Sequence, residues 1–160
     1  MRHRPGLIIV EHRLGFVMAN AGVDHSNVAA EEDRLLLLPR DPDASAQLLR
    51  DGLERRLGKR LAVIINDSFG RPWRKGVSGV AIGAAGLPAL IDKRGDPDLF
   101  GRPLLVTEIG FADEIAAAAS LVMGQADEAV PMVLVQGLLW SAPEAPAAAL
   151  VRPAEHDLFR

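Results

Sequence analysis

The sequence predicts an α/β (α+β) fold, a mixed β-sheet with packed helices. Three observations carry that expectation. Short apolar runs alternate along the chain with stretches of helical periodicity, the pattern of a layered α/β architecture. The two earliest apolar runs, Leu7 to Val10 and Leu14 to Ala19, are separated by only "HRLG", so they read as a hairpin, which argues against a purely parallel sheet. The 160 residues, 49% of them hydrophobic and 24% charged, suffice for one domain with a core and fall short of two.

After the hairpin, "GVDHSNVAAEED" is dense in turn formers and leads to a short apolar strand, Leu35 to Leu38. A helix follows, with Asp41 as N-cap, Pro42 at the first helical position and Asp43 in the positively poled first turn. Leu49, Leu53 and Leu57 mark its expected buried face, and Arg55, Arg56 and Gly58 suit its end. Leu61 to Ile65 reads as a buried strand that stops at a turn displaying Asp67 and Ser68. "VSGVAIGAAGLPALI" reads as another buried strand, its small residues allowing close backbone approach.

"KRGDPDLFGRPL" is a loop by its Gly, Pro and Asp content. A second helix spans about Ala112 to Met123, with Ile115, Ala119 and Val122 or Met123 inward, and Gly124 ends it. "VPMVLVQGL" is expected to be a further buried strand, and the Ala/Pro-rich end an extended connector closing with charges. The expected organisation is a domain over residues 1–140 and a tail over 141–160, with no internal repeat.

A net charge of −3 provides no basic field for nucleic acid or an anionic membrane. The absence of cysteine removes disulfides, thiolate zinc sites and a cysteine nucleophile, and fits a reducing cytoplasm. The first apolar run is too short for a signal sequence, and no segment approaches the ~20 apolar residues of a membrane-spanning helix. His3, His12, His25 and His156 show no spacing that suggests zinc or a nucleophile relay. "GLERRLGKR" fails as a phosphate loop: Gly52 and Gly58 stand one residue too far apart, Arg60 replaces the hydroxyl residue, and the segment ends a helix. "GVAIGAAG" lacks the G-x-G of a dinucleotide turn and reads as a tightly packed strand.

Oxygen-bearing side chains stand out instead. Asp24 with Asn27, Asp67 with Ser68, and Gln125 with Asp127 and Glu128 each follow an apolar segment, so the fold can bring them together. Carboxylate, hydroxyl and amide oxygens suit Mg²⁺ or Mn²⁺ beside phosphates. Arg71, Arg74 and Lys75 are candidate anion or substrate contacts. The competing reading is that Asp, Asn and Ser in turns satisfy local backbone groups.

The stretches "GFVMANAGVDHSNV", "NDSFGRPWRKG", "VAIGAAG", "RGDPDLFGRPL", "ADEIAAAASLVMGQADEAVPMVLVQGL" and "LVRPAEHDLFR", taken in order, resemble the γ-glutamyl ligase family of coenzyme F-420 biosynthesis (coenzyme F-420-0:L-glutamate ligase). The resemblance implies a γ-glutamyl ligase-like fold lacking the family's N-terminal segment. It also implies GTP-dependent, metal-assisted ligation of L-glutamate to coenzyme F-420-0 through an acyl phosphate. By motif, Asp24 and Asp67 bind a first Mg²⁺ or Mn²⁺ and Ser68 and Gln125 a second, with K⁺ a further candidate ion. Asn27 and the run Met123, Gly124, Gln125, Ala126, Asp127, Glu128, Ala129 and Val130 contact GTP. No residue is assigned as a catalytic acid or base. The implied partners are GTP, L-glutamate, coenzyme F-420-0 and a second copy in a homodimer, with no nucleic acid and no membrane. The alternative is a truncated relative that binds metal or nucleotide without catalysis.

Overall fold

The structure, a computed structural model, describes residues 2–28 and 34–158. Strands β1 (Arg2–Arg4), β2 (Leu7–Glu11) and β3 (Val17–Ala19) form an antiparallel meander. Its second turn is the expected hairpin, closed where the His12 carbonyl accepts the Gly15 N–H at 2.8 Å. The expected strand at Leu35 to Leu38 reduces to one bridge, Asp24 to Leu36, and Leu35, Leu36 and Leu37 stay exposed. With a single pairing residue, no ladder forms there to bury them.

Helix α1 (Pro42–Leu57) begins where the sequence predicts, the Asp41 carboxylate accepting the Ala44 N–H at 2.9 Å, and ends on left-handed Gly58. Its buried face differs from the expected one. Pro42 and Ala46 are buried and Leu53 partly so, whereas Leu49 is 53% exposed and Leu57 58%. The spacing of leucines located an apolar stripe, but the surface α1 meets admits only small groups.

That surface is the long hairpin of β4 (Val63–Arg71) and β5 (Arg74–Ala85), paired antiparallel from Val63↔Ala85 to Arg71↔Arg74. A Cβ on Gly83 would lie 2.5 Å from the Pro42 carbonyl carbon, and one on Gly79 would lie 2.5 Å from the Ala116 carbonyl oxygen. The register passes from Ile65↔Gly83 to Asn66↔Ala81, leaving Ile82 as a bulge residue. Asp67 and Ser68 therefore sit within a strand and not in a turn after it. The apolar run stops at Ile65, yet the backbone ladder is indifferent to side-chain polarity and continues to Arg71.

Strands β6 (Ile91–Asp92) and β7 (Glu108–Ile109) pair around the expected loop, and α2 (Phe111–Met123) follows. Ala112, Ala116 and Ser120 form its buried stripe, with Ile115, Ala119 and Met123 flanking it and Val122 exposed. The core cluster is mostly alanine, with Ala81, Ala84, Ala89, Ala112, Ala116 and Ala147 packed around Leu87.

Among the described residues every strand pair is antiparallel and divided over three small sheets, which corrects the single mixed sheet; the parallel element is one bridge, Pro88 to Ala145. The Ala/Pro-rich segment is not an extended connector, because Ala145 bonds Leu87 and Ala89 and a 3₁₀ turn, Ala147–Leu150, carries Ala147 into the core. "VPMVLVQGL" forms no strand, and Met132 and Leu134 are exposed. Its hydropathy signals burial without specifying a partner, and no described strand lies alongside it.

Three carboxylates tie these parts together. Asp43 accepts the N–H groups of Ala84 and Ala147, both at 2.8 Å, and of Ala148 at 3.2 Å. Asp113 accepts the Ala81 N–H at 2.9 Å, and Glu144 the Gly86 N–H at 2.7 Å.

Three substitutions test this packing by thermal melting. Gly83→Ala, forced against the α1 backbone, lowers stability by about 1–3 kcal/mol. Gly52→Ala, in a helix interior with open space around it, raises stability by about 0.5–1 kcal/mol. Leu49→Ala changes it by less than about 0.5 kcal/mol. A large loss from Leu49→Ala would place α1 the other way round.

Candidate functional site

Local chemistry shapes the Asp24 segment first. The Asp24 carboxylate accepts the Ser26 N–H at 2.8 Å and the Ser26 hydroxyl at 2.6 Å, a turn in which the side chain substitutes for backbone. These bonds, the Ser26 hydroxyl foremost, hold the Asp24 carboxyl below the usual carboxylate range and keep it ionised. Ser26, which orients the Asp24 carboxylate, is not among the residues expected from the sequence, although the D-x-S spacing of this turn signals it. Asn27, at φ 55°, then donates from its side-chain amide to the Ala126 carbonyl at 2.8 Å. Ninety-nine residues separate these two partners.

The second contribution comes from β4. Consecutive strand residues face opposite sides, so Asp67 and Ser68 cannot serve one point of space equally. The half-buried Asp67 carboxyl is pushed up, chiefly by burial and further by the negative charge of Asp24, while its bond from the Ser68 N–H at 2.7 Å opposes the rise. Ser68, on the other face, donates its hydroxyl to the Gln125 side-chain oxygen. Strand alternation thus sorts the predicted ligands into an Asp24–Asp67 pair and a Ser68–Gln125 pair.

The third contribution follows α2. Gly124, at φ 77°, closes the helix, its N–H bonding the Ser120 carbonyl at 3.0 Å. A side chain there would collide with the Glu128 carboxyl, which folds back to accept the Ala126 N–H at 2.9 Å. That N–H, first among several backbone donors, holds the Glu128 carboxyl below its ordinary value. Met123 is the last residue of α2, and Gly124 through Val130 form the turn beyond it, with Ala129 at φ 53° and Asp127 exposed.

Arg71, Arg74 and Lys75 stand apart, at the exposed tip of the β4–β5 hairpin. Arg71 lies four strand residues beyond Asp67, about 13 Å away. The Arg71 guanidinium donates to the Lys75 carbonyl at 3.4 Å, which braces the tip.

The candidate donors of these two pairs are all oxygens: two carboxylates, one hydroxyl and one amide. No group of three or more His, Cys, Asp or Glu that could hold a metal occurs among the described residues, so the set is not a carboxylate cage. Two carboxylates in mutual repulsion, one of them desolvated, fit a hard divalent cation that keeps other oxygen ligands of its own.

The family described as "F420-0:Gamma-glutamyl ligase" matches residues 1–137. The chain belongs to this family. Curated relatives named "Coenzyme F420:L-glutamate ligase" agree along nearly its whole length. That of Methanococcus maripaludis (strain C6) is 48% identical over 160 residues, covering 100% of this chain and 63% of the relative. That of Methanocaldococcus jannaschii is 48% identical over 153 residues, covering 96% and 60%. That of Methanothermobacter thermautotrophicus is 50% identical over 155 residues, covering 96% and 61%. The chain spans less than two thirds of the length of these relatives. Among the described residues no helix of this γ-glutamyl ligase family member is long and apolar enough to cross a membrane.

The raised Asp67 value has a definite sign in stability. The folded chain holds that proton more tightly than the unfolded chain, so stability falls as pH climbs from the ordinary carboxylate value through the raised one. Asp67→Asn keeps an acceptor for the Ser68 N–H and removes the charge. In metal-free buffer the variant melts higher than wild type at about pH 7, and the gain vanishes at about pH 3, where Asp67 is protonated in both states. An equal gain at both pH values would mean that charge is not its cause.

Proposed function

We propose that this chain carries the metal- and nucleotide-binding part of a GTP-dependent ligase that joins L-glutamate to coenzyme F-420-0. The observation that supports it most is the joining of three distant segments by the Asn27–Ala126 and Ser68–Gln125 bonds, with Asp24 charging the surroundings of Asp67. Family membership and the relatives' names support the glutamate-ligating chemistry.

In this reading Asp24 and Asp67 hold one divalent ion, Mg²⁺ or Mn²⁺, and Ser68 and Gln125 a second. Such ions supply neutralisation of the triphosphate and of the charge that develops during phosphoryl transfer. Asn27 and the turn from Met123 to Val130 hold the nucleotide, the Asn27 amide fixing the two segments relative to each other. Arg71, Arg74 and Lys75 attract the acid groups of the coenzyme precursor to the hairpin tip.

Chemically, a carboxylate oxygen of the precursor attacks the γ-phosphorus of GTP and GDP departs. The glutamate amine then attacks the acyl carbon, the carbon–oxygen bond to phosphate breaks, and the surplus amine proton passes to solvent. A homodimer in the cytoplasm and a role for K⁺ complete the proposal.

Incubating the chain with GTP, Mn²⁺, L-glutamate and coenzyme F-420-0 should release one GDP and one phosphate per amide formed, read by chromatography of nucleotide and coenzyme together. Asp67→Asn should lower turnover by at least about a hundredfold while the circular-dichroism spectrum stays unchanged. GDP release without a glutamylated product, or a near wild-type rate from Asp67→Asn, would refute the mechanism. Mn²⁺ and GTP binding without any turnover would favour the binding-only relative.

A further inference from the structure

One cleft lies outside the residues that the ligase reading uses. It measures about 210 Å³ and runs between the first sheet and the long hairpin. Its lining comes from Gly15 to Val17 before and at the start of β3, Phe69 of β4, Val80 and Ala81 of β5, Asp113 of α2, and Leu150 to Arg152 with Asp157 near the end of the chain. The walls are built and not incidental. Phe16 and Phe69 meet edge to face at 5.6 Å, tying the first sheet to β4. Val151 packs so closely on Gly15 that a Cβ there would sit 2.6 Å from a Val151 methyl.

Position connects the cleft to the candidate metal site. Val80 pairs directly across the ladder with Asp67, and Phe69 is two residues along the same face of β4, roughly 7 Å from Asp67. Anything seated in the cleft therefore neighbours the place where phosphate chemistry is proposed.

Size and charge narrow the occupant. Pockets for drug-sized ligands run to roughly 300–1,000 Å³, so this smaller cleft excludes a nucleotide or a multi-ring coenzyme and admits an amino acid. Asp113 spends one carboxylate oxygen on the Ala81 N–H, which fixes its direction and leaves the second oxygen for a ligand cation. Asp157 already has a partner. The exposed Arg152 takes part in no hydrogen bond or ion pair among the described residues, and its guanidinium is a ready carboxylate clamp. Valine, leucine and phenylalanine side chains share the lining with these two charged residues and suit a short methylene stem.

Resting on the ligase reading above, we propose that this cleft is the binding site of the α-amino dicarboxylate substrate, with Asp113 receiving its ammonium and Arg152 a carboxylate. The amine is thereby delivered beside the Asp24–Asp67 pair, and the acid groups are held at the solvent side.

Calorimetric titration of the chain, with Mn²⁺ and GTP present, tests the proposal with three probes. L-glutamate binds saturably. Glutarate, which lacks the ammonium, and 4-aminobutyrate, which lacks the α-carboxylate, each bind at least tenfold more weakly. Asp113→Asn retains an acceptor for the Ala81 N–H and relieves a half-buried charge, and Arg152→Gln lies on the surface, so neither lowers the melting temperature and both keep the wild-type affinity for Mn²⁺ and GTP. Each weakens L-glutamate at least tenfold, Asp113→Asn erasing the advantage over glutarate and Arg152→Gln the advantage over 4-aminobutyrate. Wild-type L-glutamate affinity in both variants, no L-glutamate binding by the wild type, or loss of melting temperature together with nucleotide affinity would overturn the assignment. Failure of Mn²⁺ and GTP to bind while L-glutamate discrimination persists would instead count against the ligase reading and leave the cleft assignment standing.

Discussion

The outer edge of β5 is the constraint on which the rest of the structure depends. One side of this strand is paired with β4, and its other side presents N–H groups that burial would leave unsatisfied at a cost of about 1–3 kcal/mol each. Carboxylates close that side: Asp113 takes the Ala81 N–H, Asp43 the Ala84 N–H and Glu144 the Gly86 N–H. The bulge at Ile82 explains why the served residues, Ala81 and Ala84, are three apart where a regular strand would turn every second N–H outward. Asp43 and Asp113 both lie in the first turn of a helix, so each carboxylate also faces the positive end of its own helix.

From that arrangement the small-residue core follows. Helices whose first turns reach the strand backbone must approach it closely, and Gly79 and Gly83 provide the clearance. Alanines fill what space remains. The burial of large leucines on α1 is thus excluded by geometry, although their spacing would permit it. The same anchoring fixes α2 against β5, which sets where Gly124 ends the helix and therefore where Gln125 meets Ser68.

The site sits at the edge of this rigid body and not within it. Asp67 is ionised only against burial and against Asp24, an arrangement that weakens the folded state and suits a group awaiting a cation. Asn27 and Ala129 hold left-handed backbone conformations at non-glycine positions, in the two segments that the Asn27–Ala126 bond joins. Both features depart from what local preference favours, and both fall where the candidate ligands gather.

By itself the sequence determined the local grammar: the Asp41 cap, Pro42 entry and Gly58 exit of α1, the Gly124 stop of α2, the first hairpin, and the oxygen-rich segments with their family resemblance. These are legible because each depends on a residue and its near neighbours. Tertiary structure alone decided which helix face is buried, that Asp67 and Ser68 lie in a paired strand, that Val130 to Leu138 forms no strand, and that Ala147 belongs to the core. Only it could bring Asn27 to Ala126 or set Asp113 and Arg152 around one cleft. Hydropathy reports that a segment gains by leaving water, whereas the partner it leaves water for is fixed by backbone hydrogen bonds and steric clearance between residues far apart in the chain.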